Sequence, residues 1–105
     1  MEEVRNSVRI LCPACGCLLL REDKAVQVQE TRALPNQQGE LVQETLFWRI
    51  EDVYAFDNIA VSREAEGQKL LTCAECERDI LGSMELASKV CYLCCGRVRE
   101  RSRGG

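Results

Sequence analysis

The chain contains no histidine, and this absence closes off several chemistries at once. Cys/His metal sites, histidine general bases and Ser-His or Cys-His nucleophile pairs all need an imidazole. Excess positive charge is missing too: the formal net charge is −3, which argues against a nucleic-acid binder, since phosphate contacts need a basic surface. The one basic cluster, Arg97, Arg99, Arg101 and Arg103, reads as a solvated terminus. No apolar stretch is long enough to span a bilayer. The start, Met1-Glu2-Glu3-Val4-Arg5, is charged, and the run Leu18-Leu19-Leu20 is too short to be the core of a signal peptide. A reducing, cytoplasmic setting without membrane insertion is therefore expected, in which the eight cysteines are metal-bound or free and buried.

What is present is a globular composition. Hydrophobic residues at 46% and charged residues at 30% separate the chain from disordered sequences. A chain of 105 residues makes one domain that buries roughly 65% of its unfolded surface and still gains from a staple. The division expected is a short N-terminal arm over 1–7, a folded domain over 8–99 and a basic flexible tail over 100–105. No internal repeat is visible.

Helical periodicity is scarce and β-type segments are frequent, so the fold class is mainly β. Leu18 to Leu20 leads out of the first cysteine pair, and Ala25-Val26-Gln27-Val28-Gln29 alternates like a half-exposed strand. Leu34 to Glu40 reads as a long, mobile polar loop. Thr45 to Val61 reads as the longest structured stretch, with Trp48, Ile50, Tyr54 and Phe56 on one face and Arg49, Glu51 and Asp57 on the other. Asp52 and Asn58 would then fall on the apolar face, which predicts a bend or bulge near Glu51-Asp52, or a polar site there. Arg63 to Gly67 is a turn, Lys69 to Thr72 a strand, and Val90 to Cys95 an apolar run suited to a strand covered on both faces.

Two Cys-x-x-Cys pairs, Cys12-Pro13-Ala14-Cys15-Gly16 and Cys73-Ala74-Glu75-Cys76, supply the donor set for one tetrahedral zinc. In the first pair, proline fixes one dihedral and Gly16 accepts a left-handed backbone. A metal joining Cys15 to Cys73 closes a long loop and organises the whole domain. Cys91 and Cys94 compete on spacing. They are set aside because bulky apolar residues lie between them, no glycine follows directly, and sulfurs three apart on a strand point to opposite faces. Cys91, Cys94 and Cys95 are read as reduced packing residues, and Cys17 likewise. Iron also suits four thiolates, with zinc the default. Four thiolates leave no open coordination position, so the metal's role is structural.

Trp48-Arg49-Ile50-Glu51-Asp52-Val53-Tyr54-Ala55-Phe56-Asp57-Asn58-Ile59, followed by Cys73-Ala74-Glu75-Cys76, resembles the Rab-interacting factor family. Cys12 to Gly16, Gln43-Glu44, Leu81-Gly82, Tyr92 and Arg97-Val98 fit the same order and spacing, so the resemblance covers roughly Val8 to Glu100. It implies a β-tent, with antiparallel sheets joined at the zinc site. The function implied is binding of a nucleotide-free Rab-type small GTPase and release of its guanine nucleotide. The protein would then be an exchange factor or holding chaperone in vesicular transport, recruited to membranes through the GTPase and monomeric. It also implies a GTPase-binding face around the second pair and the segment before it: Glu75, Asp52, Val53, Tyr54, Phe56 and Asn58. Glu75 stands where the family usually has aspartate, and Ser83 replaces a family tryptophan. No covalent catalysis is implied.

Two other classes are weighed beside it. A thiol oxidoreductase of the methionine sulfoxide reductase B type shares the paired zinc cysteines, but needs a reactive thiolate in a polar pocket, and Cys91, Cys94 and Cys95 lie in an apolar run. A zinc-ribbon adaptor in a nucleic-acid-associated complex would show salt-dependent retention on DNA or RNA.

Overall fold

The computed structural model describes residues 4–65 and 67–101. Residues 1–3 of the expected arm, Glu66 of the expected turn and residues 102–105 of the tail, Arg103 among them, lie outside the described residues. Among the described residues, nine strands follow in chain order: β1 (Arg9–Leu11), β2 (Leu18–Leu20), β3 (Val26–Pro35), β4 (Leu41–Ile50), β5 (Ile59–Ala65), β6 (Gln68–Cys73), β7 (Ile80–Glu85), β8 (Cys91–Cys94) and β9 (Arg99–Arg101). They form a three-stranded sheet, β2-β1-β9, and a six-stranded sheet, β3-β4-β8-β7-β6-β5. The ladder pairs are antiparallel throughout. The mainly β architecture expected from the sequence is what forms.

The core follows from alternation along the central strands. Trp48 and Ile50 of β4, Leu93 and Cys91 of β8 and Met84 of β7 pack with Ile10, Leu19 and Leu20 of the smaller sheet. Phe47, Tyr92 and Cys94 belong to a second cluster, closed by Leu34 from the far end of β3. β8 is covered on both faces, with all four of its residues buried. Gly82 makes this closeness feasible: a Cβ there would collide with the carbonyl of Tyr92 on β8.

The long β3–β4 hairpin shifts register between Gln29 and Arg32. Arg32 lies 3.6 Å above the Tyr92 ring and pairs with Glu85 of β7 at 3.6 Å, which ties the hairpin to the sheet. The segment expected as a loop from residue 34 begins later. Leu34 and Pro35 complete β3, and the turn is Asn36 to Gly39, where the Asn36 side chain accepts from the backbone N–H groups of Gln38 and Glu40. Leu34 is fully buried, because the second cluster needs an apolar plug at that end.

Four further expectations change. Arg63 to Ala65, read as part of a turn, end β5, and Arg97, read as part of a solvated terminus, is held by Glu44, Pro35 and Ile80. Thr45 to Val61 is not one strand. β4 ends at Ile50, and a single 3-10 turn, Val53–Ala55, precedes β5. Asp52 caps that turn by accepting from the Tyr54 N–H at 2.9 Å, which explains the polar residue in an apolar pattern. Trp48 is buried and Tyr54 is 91% exposed, so the aromatics do not share a face. Asn6, placed by sequence in an arm, is fully buried. Its amide donates to the carbonyls of Val8 and Arg21, and its oxygen accepts from the N–H groups of Lys24 and Ala25. One side chain thus satisfies four backbone groups that would otherwise lack partners.

Candidate metal centre and the face beside it

Each cysteine pair sits where a strand ends and the chain must reverse. Cys12 follows β1 and Cys73 closes β6, so the two turns meet where the smaller sheet touches the larger. The local geometry repeats. The Gly16 N–H donates to the Cys12 carbonyl at 2.8 Å, and the Glu77 N–H donates to the Cys73 carbonyl at 2.9 Å. Both residues after the second cysteine take positive φ, 79° at Gly16 and 49° at Glu77. The left-handed backbone expected at Gly16 is thus present, and the second turn achieves it without glycine.

The Sγ atoms of Cys12, Cys15, Cys73 and Cys76 lie within 4.8 Å of one another. Cys12–Cys76 and Cys15–Cys73 are each 3.6 Å apart. Four thiolates about 2.3 Å from a central ion have edges of about 3.8 Å, so the cluster fits a tetrahedral metal ion. Cys91 and Cys94 are absent from it, held in β8. Burial pushes the Cys91 thiol up to about 11, with Asp52 adding to the effect, and burial also raises Cys94 and takes Cys95 to about 11. Such thiols are poor nucleophiles at neutral pH.

Cys17 departs from the sequence reading. It packs against the core, as expected, but its Sγ also lies 3.1 Å from that of Cys73. Burial and the neighbouring thiols Cys73 and Cys15 push Cys17 well above the ordinary range. Burial alone would raise Cys73 as well. Hydrogen bonds from Cys17 and from the backbone N–H groups of Cys76 and Glu75 outweigh it and bring Cys73 to about 6. Spacing could not reveal this contact, which joins residues 56 positions apart.

The second turn is stitched to the segment preceding β5. The Ala74 N–H donates to the Asn58 carbonyl at 3.1 Å, and the Asp57 N–H to the Leu19 carbonyl at 2.9 Å. Asn58 donates its side-chain amide to the Leu18 carbonyl at 2.7 Å, so its polar group is satisfied inside the chain. Phe56 and Val53 are half-buried against the main core, and Phe56 bridges Leu20. Of the six residues expected on a binding face, Asp52, Tyr54 and Glu75 are exposed, and Val53, Phe56 and Asn58 are half-buried.

The Mss4 protein family profile matches residues 5–100. The chain belongs to the Mss4 family. It is 32% identical over 103 residues to the guanine nucleotide exchange factor MSS4 homolog of Drosophila melanogaster, covering 90% of this chain and 84% of that protein. It is 30% identical over 94 residues to the guanine nucleotide exchange factor MSS4 homolog of Schizosaccharomyces pombe (strain 972 / ATCC 24843), covering 86% and 94%. The family resemblance read from Trp48 to Ile59 and the cysteine pairs is borne out. In this Mss4-family chain Ser83 is buried in β7 opposite Tyr92.

Proposed function

We propose that the chain is a guanine-nucleotide exchange factor, or holding chaperone, that binds a Rab-type small GTPase most tightly when the GTPase is empty. One structural zinc held by Cys12, Cys15, Cys73 and Cys76 would fix the two turns. With four thiolates the ion has no site left for water or substrate, so its contribution is folding free energy. That both relatives are guanine nucleotide exchange factor MSS4 homologs supports an exchange-factor role. The observation that carries the rest is Tyr54: a large aromatic that is 91% exposed, on a turn capped by Asp52 and linked through Asn58 to the turn bearing Glu75. Aromatic residues on rigid, exposed turns are favoured anchors at interfaces.

Exchange of this kind needs no general base. Nucleotide and helper bind the GTPase with negative coupling, and each weakens the other by the same factor. A thousandfold faster release corresponds to about 4 kcal/mol of differential binding. Glu75 would accept hydrogen bonds from GTPase groups left unpaired when the nucleotide departs, an interaction of about 1.5–3 kcal/mol once desolvated. Tyr54 and the exposed edge of Phe56 would add apolar area. Asp52, exposed beside Tyr54, would join that surface and cap its turn, and Val53 and Asn58 would hold it in place. The setting is cytoplasmic, where such GTPases carry their guanine nucleotides.

The test is Glu75→Ala, measured for zinc content and melting temperature and for affinity to a nucleotide-free Rab. Normal folding with at least a tenfold affinity loss supports the proposal. Unchanged affinity, or no binding by the parent chain, sinks it.

A further inference from the structure

We propose that Cys17 is a positioning residue for the metal centre, its thiol donating a hydrogen bond to the Cys73 sulfur. This rests on reading the four clustered cysteines as a metal site. The Cys17–Cys73 separation of 3.1 Å is shorter than the edge of about 3.8 Å between two ligands of one tetrahedral ion. The two ligand pairs are longer, at 3.6 Å. Cys17 is not among the four cysteines whose Sγ atoms all lie within 4.8 Å of one another, so it stands outside the tetrahedron, in hydrogen-bond contact with one of its corners.

Four thiolates around a divalent cation carry two excess negative charges, and donors from the outer shell disperse that charge and orient the ligands. The Cys73 sulfur lies 3.6 Å from that of Cys15 within the cluster. Cys17 adds a donor from the other side of the site. Its backbone is anchored in the first turn, where the Cys17 carbonyl accepts the Cys12 N–H at 3.0 Å. The side chain therefore reaches from one cysteine turn to the other without passing through the ion. Because the Glu77 N–H closes the second turn onto the Cys73 carbonyl at 2.9 Å, a fixed Cys73 also fixes the turn that presents Glu75. Cys17 thus links metal retention to the geometry of the proposed GTPase-binding turn.

The decisive comparison is Cys17→Ala with Cys17→Ser in the full chain, since serine keeps an O–H donor of similar size and alanine removes it. Two readouts apply: the rate of zinc transfer to a competing chelator, and the thiolate-to-metal charge-transfer band of the cobalt-substituted protein. Cys17→Ala should release zinc about 10–100-fold faster and move the band to lower energy, as a thiolate with one donor fewer is more electron-rich. Cys17→Ser should stay close to the parent on both. A silent Cys17→Ala overturns the proposal, as does a Cys17→Ser variant as impaired as Cys17→Ala, which would mean simple packing. Substoichiometric zinc in Cys17→Ser would make Cys17 a ligand and overturn it too. A parent chain that binds no metal removes the metal reading itself and this proposal with it, whereas a silent Cys17→Ala in a zinc-bearing parent removes only this one.

Discussion

Gly16 and Glu77 occupy the same place in the two cysteine turns, each donating its N–H to the carbonyl of the first cysteine and each at positive φ, 79° and 49°. Glycine takes this conformation at no steric cost, whereas an L side chain pays about 1–2 kcal/mol. The second turn is the strained one. Glu77→Gly should therefore be neutral to stabilising, by up to about 1 kcal/mol after the added freedom of the unfolded chain is counted. Gly16→Ala should lose about 1 kcal/mol. Urea unfolding of the zinc-loaded proteins checks both signs, and a destabilised Glu77→Gly would refute the equivalence.

Removal of one ligand should undo the centre. Cys73→Ser is expected to drop zinc below one per chain and to melt much of the fold, because the remaining thiolates cannot close the tetrahedron and the ion's binding energy is folding energy. Elemental analysis of the purified variant decides it, and full zinc in Cys73→Ser would show that the ligand set is wrong.

The buried thiols of β8 and its end predict an alkaline limit. Cys91 is raised from 9.0 to about 11 by burial, with help from Asp52. The unfolded chain thus loses this proton at lower pH than the folded one. Stability from Cys91 is complete below pH 9 and falls as pH rises from 9 towards 11. Cys91→Ala should be less stable at neutral pH, through lost packing, yet lose less between pH 9 and 11. Cys94→Ala and Cys95→Ala should also cost stability while zinc content stays constant. Rapid alkylation of these thiols in the folded protein would contradict their placement.

Tyr54→Ala separates binding from folding more cleanly than Phe56→Ala. Tyr54 is 91% exposed, so its truncation should shift stability by less than about 0.5 kcal/mol. An interface anchor of this kind is worth about 2 kcal/mol or more, a loss of roughly thirtyfold in affinity for the empty GTPase. Phe56→Ala should lower both binding and melting temperature, because Phe56 packs on the core. Isothermal titration alongside thermal melts gives the two effects, and wild-type affinity in Tyr54→Ala would remove the aromatic from the site.

Arg97 supplies the clip between the hairpin and the segment after the second turn. Its Nη1 donates to the carbonyls of Pro35 at 2.7 Å and Ile80 at 3.0 Å, and its Nε pairs with Glu44 at 3.3 Å. Lysine cannot reproduce this fork. Arg97→Lys is expected to cost about 1.5–3 kcal/mol and to raise hydrogen exchange at the hairpin turn. A change under about 0.5 kcal/mol would show that the clip contributes little.

Much of this protein was legible in its residues. Period-two alternation around Val26, a strand delivering Cys73, the apolar run from Cys91 and the two cysteine pairs are local signals, because strand faces and turn dihedrals depend on neighbours a few positions away. The order of Trp48 to Ile59 and the second pair also sufficed to name the family. β7 escaped notice because Gly82 and Ser83 interrupt its apolar pattern, and β1 and β9 because three residues carry too little periodicity.

The sequence by itself thus determined the β character, the metal-type cysteine set and the kinship. Tertiary structure alone decided which side chains face solvent after the break at Glu51-Asp52, turning Tyr54 outward and Phe56 inward. It also brought Cys17 to Cys73, Arg97 to Pro35 and Asn6 to Ala25. Those contacts depend on sheet order, register shifts and the bend of a hairpin, which arise from packing the whole chain at once and leave no periodic trace along it.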